Sequence, residues 1–204
     1  MAASDGGVRG VGSLTPRQRG IGVLVIAVLV VVVVGWLVVR SGSDGGDSAG
    51  GGEPATVPAL INAGLASYTA GDLPAAQSYF IRALKLEPQN PRVLYDLGVV
   101  AGRIGDSAGA RSLYRRAIAV DPTFADAYYN LGVVEASLKN DAAAVKAYAK
   151  VLEFQPDNLS AKWNLGLLLY GLGKVPQARD LLKGVIAADP SFAQRLPKDV
   201  KLAG

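Results

Sequence analysis

The sequence contains no cysteine and no histidine. Without cysteine the chain cannot form a disulfide, a thiolate nucleophile or a zinc finger, and without histidine it has neither the usual haem ligand nor a Ser-His-Asp triad. The remaining acid–base candidates are scattered carboxylates such as Asp96 and Glu135, which we expect on the surface and not in a pair. We therefore expect no enzyme, no cofactor, and no catalytic or metal site. The absence of cysteine does not locate the compartment, because a hydrophobic core needs no disulfide on either side of a membrane.

Long runs of one charge are also missing. The chain has 21 lysines and arginines against 17 aspartates and glutamates, which gives a net charge of +4. The basic residues are scattered, as is typical of a solvated helical surface, so we expect no nucleic-acid partner.

Hydrophobic residues, by contrast, make up 50% of the chain and are concentrated in one place. Residues 21–39 form an uncharged apolar run of 19 residues, long enough to cross a bilayer as a helix. A buried core helix explains this run poorly, because Val28 to Val34 has no polar face. No pair of small residues before Arg40 suits a signal peptidase, which favours an uncleaved membrane anchor over a cleaved signal peptide.

Basic residues are distributed unequally around the predicted transmembrane helix. Arg9, Arg17 and Arg19 precede it, whereas only Arg40 follows it closely. The positive-inside rule then predicts a single-pass protein of the cytoplasmic membrane, with the N-terminus inside and the rest of the chain outside.

The segments that flank the predicted helix have the composition of flexible chain. Residues 1–20 are Gly-rich and polar, and we interpret them as a cytoplasmic tail. Residues 40–56 contain six glycines together with serine and aspartate, which predicts a Gly/Ser-rich linker. A linker of this length and composition has a reach of roughly 20 Å.

Beyond the linker the sequence repeats itself every 34 residues. Four interlocked series share this spacing. They are Gly64, Gly98, Gly132 and Gly166; Ala76, Ala110, Ala144 and Ala178; Phe80, Tyr114, Tyr148 and Leu182; and Pro88, Pro122, Pro156 and Pro190. A fixed period of this length predicts a stack of helical repeats.

Each series has a physical role in a helix-turn-helix unit. Glycine and alanine are small where two antiparallel helices approach closely, and the large residue fills the space beside them. Proline stops the second helix. Polar turns separate the two helices, and Asp72, Asp106 and either Asn140 or Asp141 are placed to cap the second one.

This pattern resembles the tetratricopeptide repeat (TPR) family, and the resemblance covers residues 57–192. It implies an all-α protein, in which a right-handed α-solenoid of four repeats follows the single transmembrane helix. The predicted units are 57–90, 91–124, 125–158 and 159–192, with a C-terminal cap or tail at 193–204. The high usage of Ala, Gly, Val and Arg is similar to that of bacterial proteins, so together with the predicted anchor the chain resembles a membrane-anchored TPR protein of bacterial type.

In this family the first helix of each unit lines the concave face, so the resemblance implies a binding groove there. Positions are counted from the first residue of each unit. The fifth positions are Ile61, Tyr95, Tyr129 and Trp163, and the ninth are Leu65, Val99, Val133 and Leu167. Aromatic and aliphatic side chains of this kind favour a peptide or protein segment with apolar anchors.

The sixth positions form a ladder of short polar side chains. They are Asn62, Asp96, Asn130 and Asn164. Asparagine donates and accepts at once, so the ladder is able to hold a peptide backbone, as in members of the family that bind peptides. It is equally able to bond within or between adjacent helices, and the sequence alone leaves both interpretations open.

A carboxylate clamp, which some members of the family use, needs further basic residues in the groove. Only Arg92 and Arg103 are present, both in the second unit, and the third unit has Asp126 instead. We therefore do not expect a C-terminal carboxylate as ligand. Either arginine is able to pair with an acidic partner group, although isolated arginines are more often solubilising.

The C-terminal segment is short, because Pro197 interrupts any helix that begins near Phe192. A repeat stack needs a terminal cap. We expect Leu196 and Val200 to fold back over the last unit, and the alternative is that this end meets another chain in a homo-oligomer.

These features predict a membrane-anchored scaffold that binds a peptide or protein in its groove, as an assembly factor of an envelope complex. Two alternatives remain. One is a structural protein that self-associates through its end, and the other is a docking adaptor that faces the cytoplasm.

Overall fold

The computed structural model describes residues 56–202 of the chain. Its α-helices are α1 (Val57–Thr69), α2 (Leu73–Leu86), α3 (Pro91–Arg103), α4 (Ser107–Val120), α5 (Ala125–Ser137), α6 (Asp141–Phe154), α7 (Leu159–Gly171) and α8 (Val175–Ala188). A 3₁₀ helix, Pro190–Arg195, follows α8. This part of the chain contains no β-strand.

The helices form four consecutive pairs, each with a first helix of 13 residues and a second of 14. Every helix packs against the next one, both within a pair and between pairs. The first helices begin at Val57, Pro91, Ala125 and Leu159, where the 34-residue period predicts that each unit starts. The predicted all-α solenoid of helical repeats is confirmed for the described residues.

The glycine and alanine series lie where the two helices of a unit touch. A Cβ atom added to Gly64 would lie 2.6 Å from Phe80 Cε1, and one added to Gly98 would lie 2.5 Å from Tyr114 Cε1. The four alanines of the series are completely buried. Since no side chain larger than hydrogen fits against these rings, the close approach requires glycine.

The turns between the two helices of a unit are closed largely as predicted. The Asp72 carboxylate accepts a hydrogen bond from the Ala75 N–H at 2.9 Å, and the Asp106 carboxylate accepts one from the Gly109 N–H at 2.8 Å. Asn140 precedes α6 but makes no side-chain cap. Its amide instead donates to the Glu135 carboxylate at 2.8 Å, so the predicted cap is wrong in the third unit.

The C-terminal segment folds back over the fourth unit, as predicted. Val200 and Phe192 are buried in one cluster with Trp163 and Leu182, and Leu196 packs against this cluster. The Tyr170 hydroxyl donates to the Asp199 carbonyl at 3.0 Å. The segment therefore covers the apolar end that a repeat stack would otherwise expose.

No helix within residues 56–202 combines the length and hydropathy that a membrane span requires. The predicted tail at 1–20, the predicted transmembrane helix at 21–39 and nearly all of the linker at 40–56 lie outside the described residues. The anchor and its orientation stay predictions.

Candidate functional site

The groove face consists of the side chains at positions 2, 5, 6, 9, 12 and 13 of α1, α3, α5 and α7. Successive first helices meet through this face, because Asn130 of α5 reaches Tyr95 of α3, and Asn164 of α7 reaches Tyr129 of α5. The structure thus brings the predicted site residues of neighbouring units together. Whether they contact a ligand stays a prediction.

The predicted residues differ in their access to solvent. Asn62, Arg92 and Val133 are exposed, and Val133 keeps 42% of its surface accessible. The half-buried members of the set are Leu65, Tyr95, Val99, Tyr129, Asn130, Asn164 and Leu167. Trp163 and Asp96 are buried, with 3% and 4% of their surfaces accessible. The exposed members thus include an amide and an arginine beside Val133, whereas the half-buried members are mostly aliphatic and aromatic.

Two members of the asparagine ladder connect adjacent units. Asn130 Nδ2 donates to the Tyr95 hydroxyl at 3.0 Å, and Asn164 Nδ2 donates to the Tyr129 hydroxyl at the same distance. Burial raises the pKa of Tyr95, and the nearby Asp126 carboxylate adds to the effect. The phenol therefore stays protonated at neutral pH. Of the two interpretations left open by the sequence, these contacts favour a bond between adjacent helices.

In the second unit the sixth position forms an ion pair within its own helix instead of a hydrogen bond to the preceding unit. Asp96 accepts from Arg92 Nε at 2.9 Å and 3.1 Å through its two carboxylate oxygens. The preceding fifth position is Ile61, which has no hydroxyl to accept a bond. Burial raises the pKa of Asp96 despite the opposing effect of Arg92. The expectation that Asp96 lies on the surface is wrong, because only 4% of its surface is accessible and its carboxylate is paired with Arg92.

Glu135 was also expected on the surface, and this expectation is wrong as well. It is 1% exposed and bonds to Arg115 Nη2 at 2.6 Å, while Arg111 Nη1 lies 3.9 Å away. Asn140 Nδ2 donates to its other oxygen. These contacts join α4 to α5. The sequence signal is a glutamate at the eleventh position, where the other units have Ser67, Ala101 and Leu169.

Trp163 is covered by the C-terminal segment. The ring centroids of Trp163 and Phe192 are 5.1 Å apart, and the Arg195 guanidinium lies 6.0 Å from the Trp163 ring centre. A ligand would have to displace this segment to touch the indole. Trp163 therefore differs from Tyr95 and Tyr129, the aromatic residues at the same position in the two preceding units.

Sequence reasoning missed an open hollow in the groove face of the first three units. Its volume is about 440 Å³. Its lining residues are Tyr68, Val99, Gly102, Arg103, Ser107, Tyr114, Asn130, Val133, Val134 and Ser137. The sequence signal is Gly102 at the twelfth position, where the first and fourth units have Tyr68 and Tyr170.

Within residues 56–202, no group of three or more acidic residues is arranged to hold a metal ion. The groove face of this part instead offers apolar surface, amides and two arginines. Such a surface suits recognition of a polypeptide.

Comparison with known proteins agrees with the repeat architecture. Profiles described as tetratricopeptide repeat match residues 61–102, 95–158 and 139–196. The chain belongs to the tetratricopeptide repeat family, and its repeat domain has the fold of a protein–protein interaction scaffold. No curated protein matches the chain.

Several solved structures are similar to the chain. A crystal structure of MamA is 27% identical, with a TM-score of 0.63 over 70% of this chain and 83% of that one. YrrB, described as a TPR protein with an unusual peptide-binding site, is 21% identical, with a TM-score of 0.62 over 67% and 70% of the two chains. The first TPR of Spaghetti (RPAP3), bound to an HSP90 peptide, is 24% identical, with a TM-score of 0.56 over 58% and 96%. The last two similarities show the fold alone.

Proposed function

We propose that the chain is a membrane-anchored scaffold that binds a peptide or protein segment on its groove face. The observation that carries this proposal is the accessible apolar surface around Val99 and Val133, which line an open hollow. An exposed valine beside half-buried aromatic rings offers a partner side chain apolar contact area. The Spaghetti complex supports the capacity of the fold for such binding and says nothing of which ligand this chain takes.

The membrane anchor in this proposal is the apolar run at 21–39. The excess of arginine before it supports an outward repeat domain, which would assemble or recruit other proteins of the cell envelope. Protease digestion of intact cells that carry a tag after Gly204 tests this orientation. Cleavage from outside is expected. Protection until the membrane is ruptured would indicate the cytoplasm-facing adaptor instead.

Two matched substitutions test binding on the groove face. Val133 and Val120 are 42% and 41% exposed, but only Val133 lies on a first helix. We expect Val133→Asp to reduce the capture of partner proteins by the full-length tagged chain from membrane extracts, because a carboxylate opposes apolar contact. Val120→Asp should leave capture unchanged. Equal capture by both folded variants would refute the groove as the binding surface.

Self-association through the C-terminal end is the weaker candidate, because the C-terminal segment covers Trp163 and Leu182. The mass of the full-length chain in detergent, measured over a range of concentrations, separates the two. A monomer that still captures partners supports the groove. A mass that rises to that of an oligomer with increasing concentration would favour self-association.

A further inference from the structure

The hollow in the first three units exists because position 102 has no side chain. The closest non-local atoms to a Cβ added at Gly102 are Ala110 Cβ and the Tyr114 hydroxyl oxygen, both at 4.0 Å. By contrast, Cβ atoms added to Gly64, Gly98 and Gly132 would collide with aromatic rings. Gly102 therefore leaves accessible space on the groove face. Gly64, Gly98 and Gly132 instead allow the two helices of a unit to touch.

The walls of this space come from three different first helices. Tyr68 of α1, Val99 of α3 and Val133 of α5 line it, and the Tyr114 side chain lies beneath Gly102. The space is open to solvent, and its volume of about 440 Å³ lies within the roughly 300–1,000 Å³ of ligand-binding clefts. Such clefts have mostly apolar walls with a few polar groups, and we expect this one to accept one large side chain.

Arg103 supplies the charge at the edge of the hollow. It is exposed, its guanidinium lies 5.3 Å from the Tyr68 ring centre, and its Nη1 is 3.4 Å from the Tyr68 hydroxyl. Arg92 and Arg115 are neutralised by Asp96 and Glu135. Within the described part of the chain, Arg103 has no carboxylate partner. Its charge is thus available to a ligand, and the Tyr68 ring holds it in place.

We propose that this hollow binds an extended segment of a partner protein in which one large apolar side chain and one acidic side chain lie one or two residues apart. The apolar side chain enters the space at Gly102, and the carboxylate pairs with Arg103. We assign the carboxylate to a side chain and not to the C-terminus of the partner. A clamp for a C-terminal carboxylate needs further basic residues, and Arg92, the second arginine of the groove face, is already paired with Asp96. This inference rests on the proposed function and specifies the ligand of the same groove.

The test uses full-length protein in detergent and fluorescein-labelled peptides with blocked ends. The reference peptide has a Gly/Ser backbone with one phenylalanine and one glutamate two residues apart, and it is tested in both orders. One control peptide has lysine in place of glutamate, and the other has alanine in place of phenylalanine. Fluorescence anisotropy should show binding of the reference peptide and at least about fivefold weaker binding of each control, as expected for the loss of one charged or one apolar contact.

Substitutions then assign the binding to the hollow. Gly102→Leu should abolish binding, because its side chain fills the space from within, whereas Gly102→Ala should retain the fold and most of the binding. Arg103→Gln should remove the preference for glutamate over lysine. Arg116→Gln, which changes an exposed arginine on α4, should leave that preference intact. Circular dichroism would verify that each variant is folded.

Three results would overturn the inference. They are equal binding of the glutamate and lysine peptides, unchanged binding by folded Gly102→Leu, and no binding of any peptide by the unaltered protein up to about 1 mM, the level of a very weak complex. None of these results decides the proposed function, which the capture experiment with Val133→Asp tests separately. Failure of both experiments would refute both proposals.

Discussion

The groove face differs between its first three units and its fourth. Around Gly102 and Val133 it is open to solvent, whereas Trp163 lies beneath Phe192 and Val200. Tyr95, Tyr129 and Trp163 occupy the same position in successive units, yet only the last is covered. A terminal unit has no following first helix to pack against, so the C-terminal segment takes that role. Capping the stack therefore removes an aromatic residue from the groove face.

The interactions of the sixth-position side chain also differ between the first junction of two units and the later ones. Between the later units an asparagine amide bonds to a tyrosine hydroxyl, whereas between the first two Ile61 offers no hydroxyl and Asp96 pairs with Arg92 instead. The sixth position thus bonds to the preceding unit where that unit has a tyrosine, and forms an ion pair within its own helix where that unit has Ile61. This comparison between the two ends of the domain leads to four predictions.

The largest expected effect is at the C-terminal cap. Val200→Asp would place a carboxylate against Trp163 and should lower the free energy of unfolding by about 3 kcal/mol. Val120→Asp, at an exposed valine, should change it by less than about 0.5 kcal/mol. Urea denaturation of the full-length chain measures both. When Trp36→Phe removes the other tryptophan of the chain, the fluorescence emission of Trp163 should also shift to the red in Val200→Asp, because the indole becomes exposed to water. Equal effects of the two aspartates would show that the segment does not cap the stack.

The second effect concerns the close approach of helices within a unit. Gly98→Ala should cost about 2 kcal/mol, because the added Cβ meets the rigid Tyr114 ring at 2.5 Å. Gly166→Ala should cost about 1 kcal/mol, because it meets the flexible Leu182 side chain at 2.9 Å. Gly184→Ala, which meets nothing, should be neutral or stabilising. The reverse order in thermal denaturation would contradict this packing.

A smaller effect is expected from transferring the later type of junction to the first two units. Ile61→Tyr combined with Asp96→Asn should create the bond that Asn130 makes to Tyr95. A double-mutant cycle should give a favourable coupling energy of about 0.5–1 kcal/mol. Each single variant lacks one partner and is the control. A coupling energy near zero would mean that these positions do not face each other across the junction.

The smallest effect is a pH dependence at Asp96. Because burial raises its folded-state pKa above 3.8, ionisation of Asp96 opposes folding, fully so above the raised pKa and progressively less as the pH falls towards 3.8. As the pH falls from 7, the Tm of the unaltered protein should therefore rise relative to the Tm of the Asp96→Asn variant. A pH-independent difference would contradict the raised pKa.

Much of the fold could be predicted from the sequence, because the glycine, alanine and proline series act within one unit. The helix starts, the contact of Gly64 with Phe80 and the cap at Asp72 depend only on local spacing. The burial of Glu135 depends on Arg111 and Arg115 of the preceding unit, and the cover over Trp163 depends on the C-terminal segment. The hollow at Gly102 was missed for the same reason, since residues of three units together define it.

Site-specific photo-crosslinking in cells tests most directly whether the groove face binds a partner. A photoreactive amino acid replaces Val133 in the full-length chain, and the matched control replaces Val120. We expect a discrete cross-linked partner from position 133 and none from position 120. No adduct from position 133, or the same adducts from both positions, would contradict it.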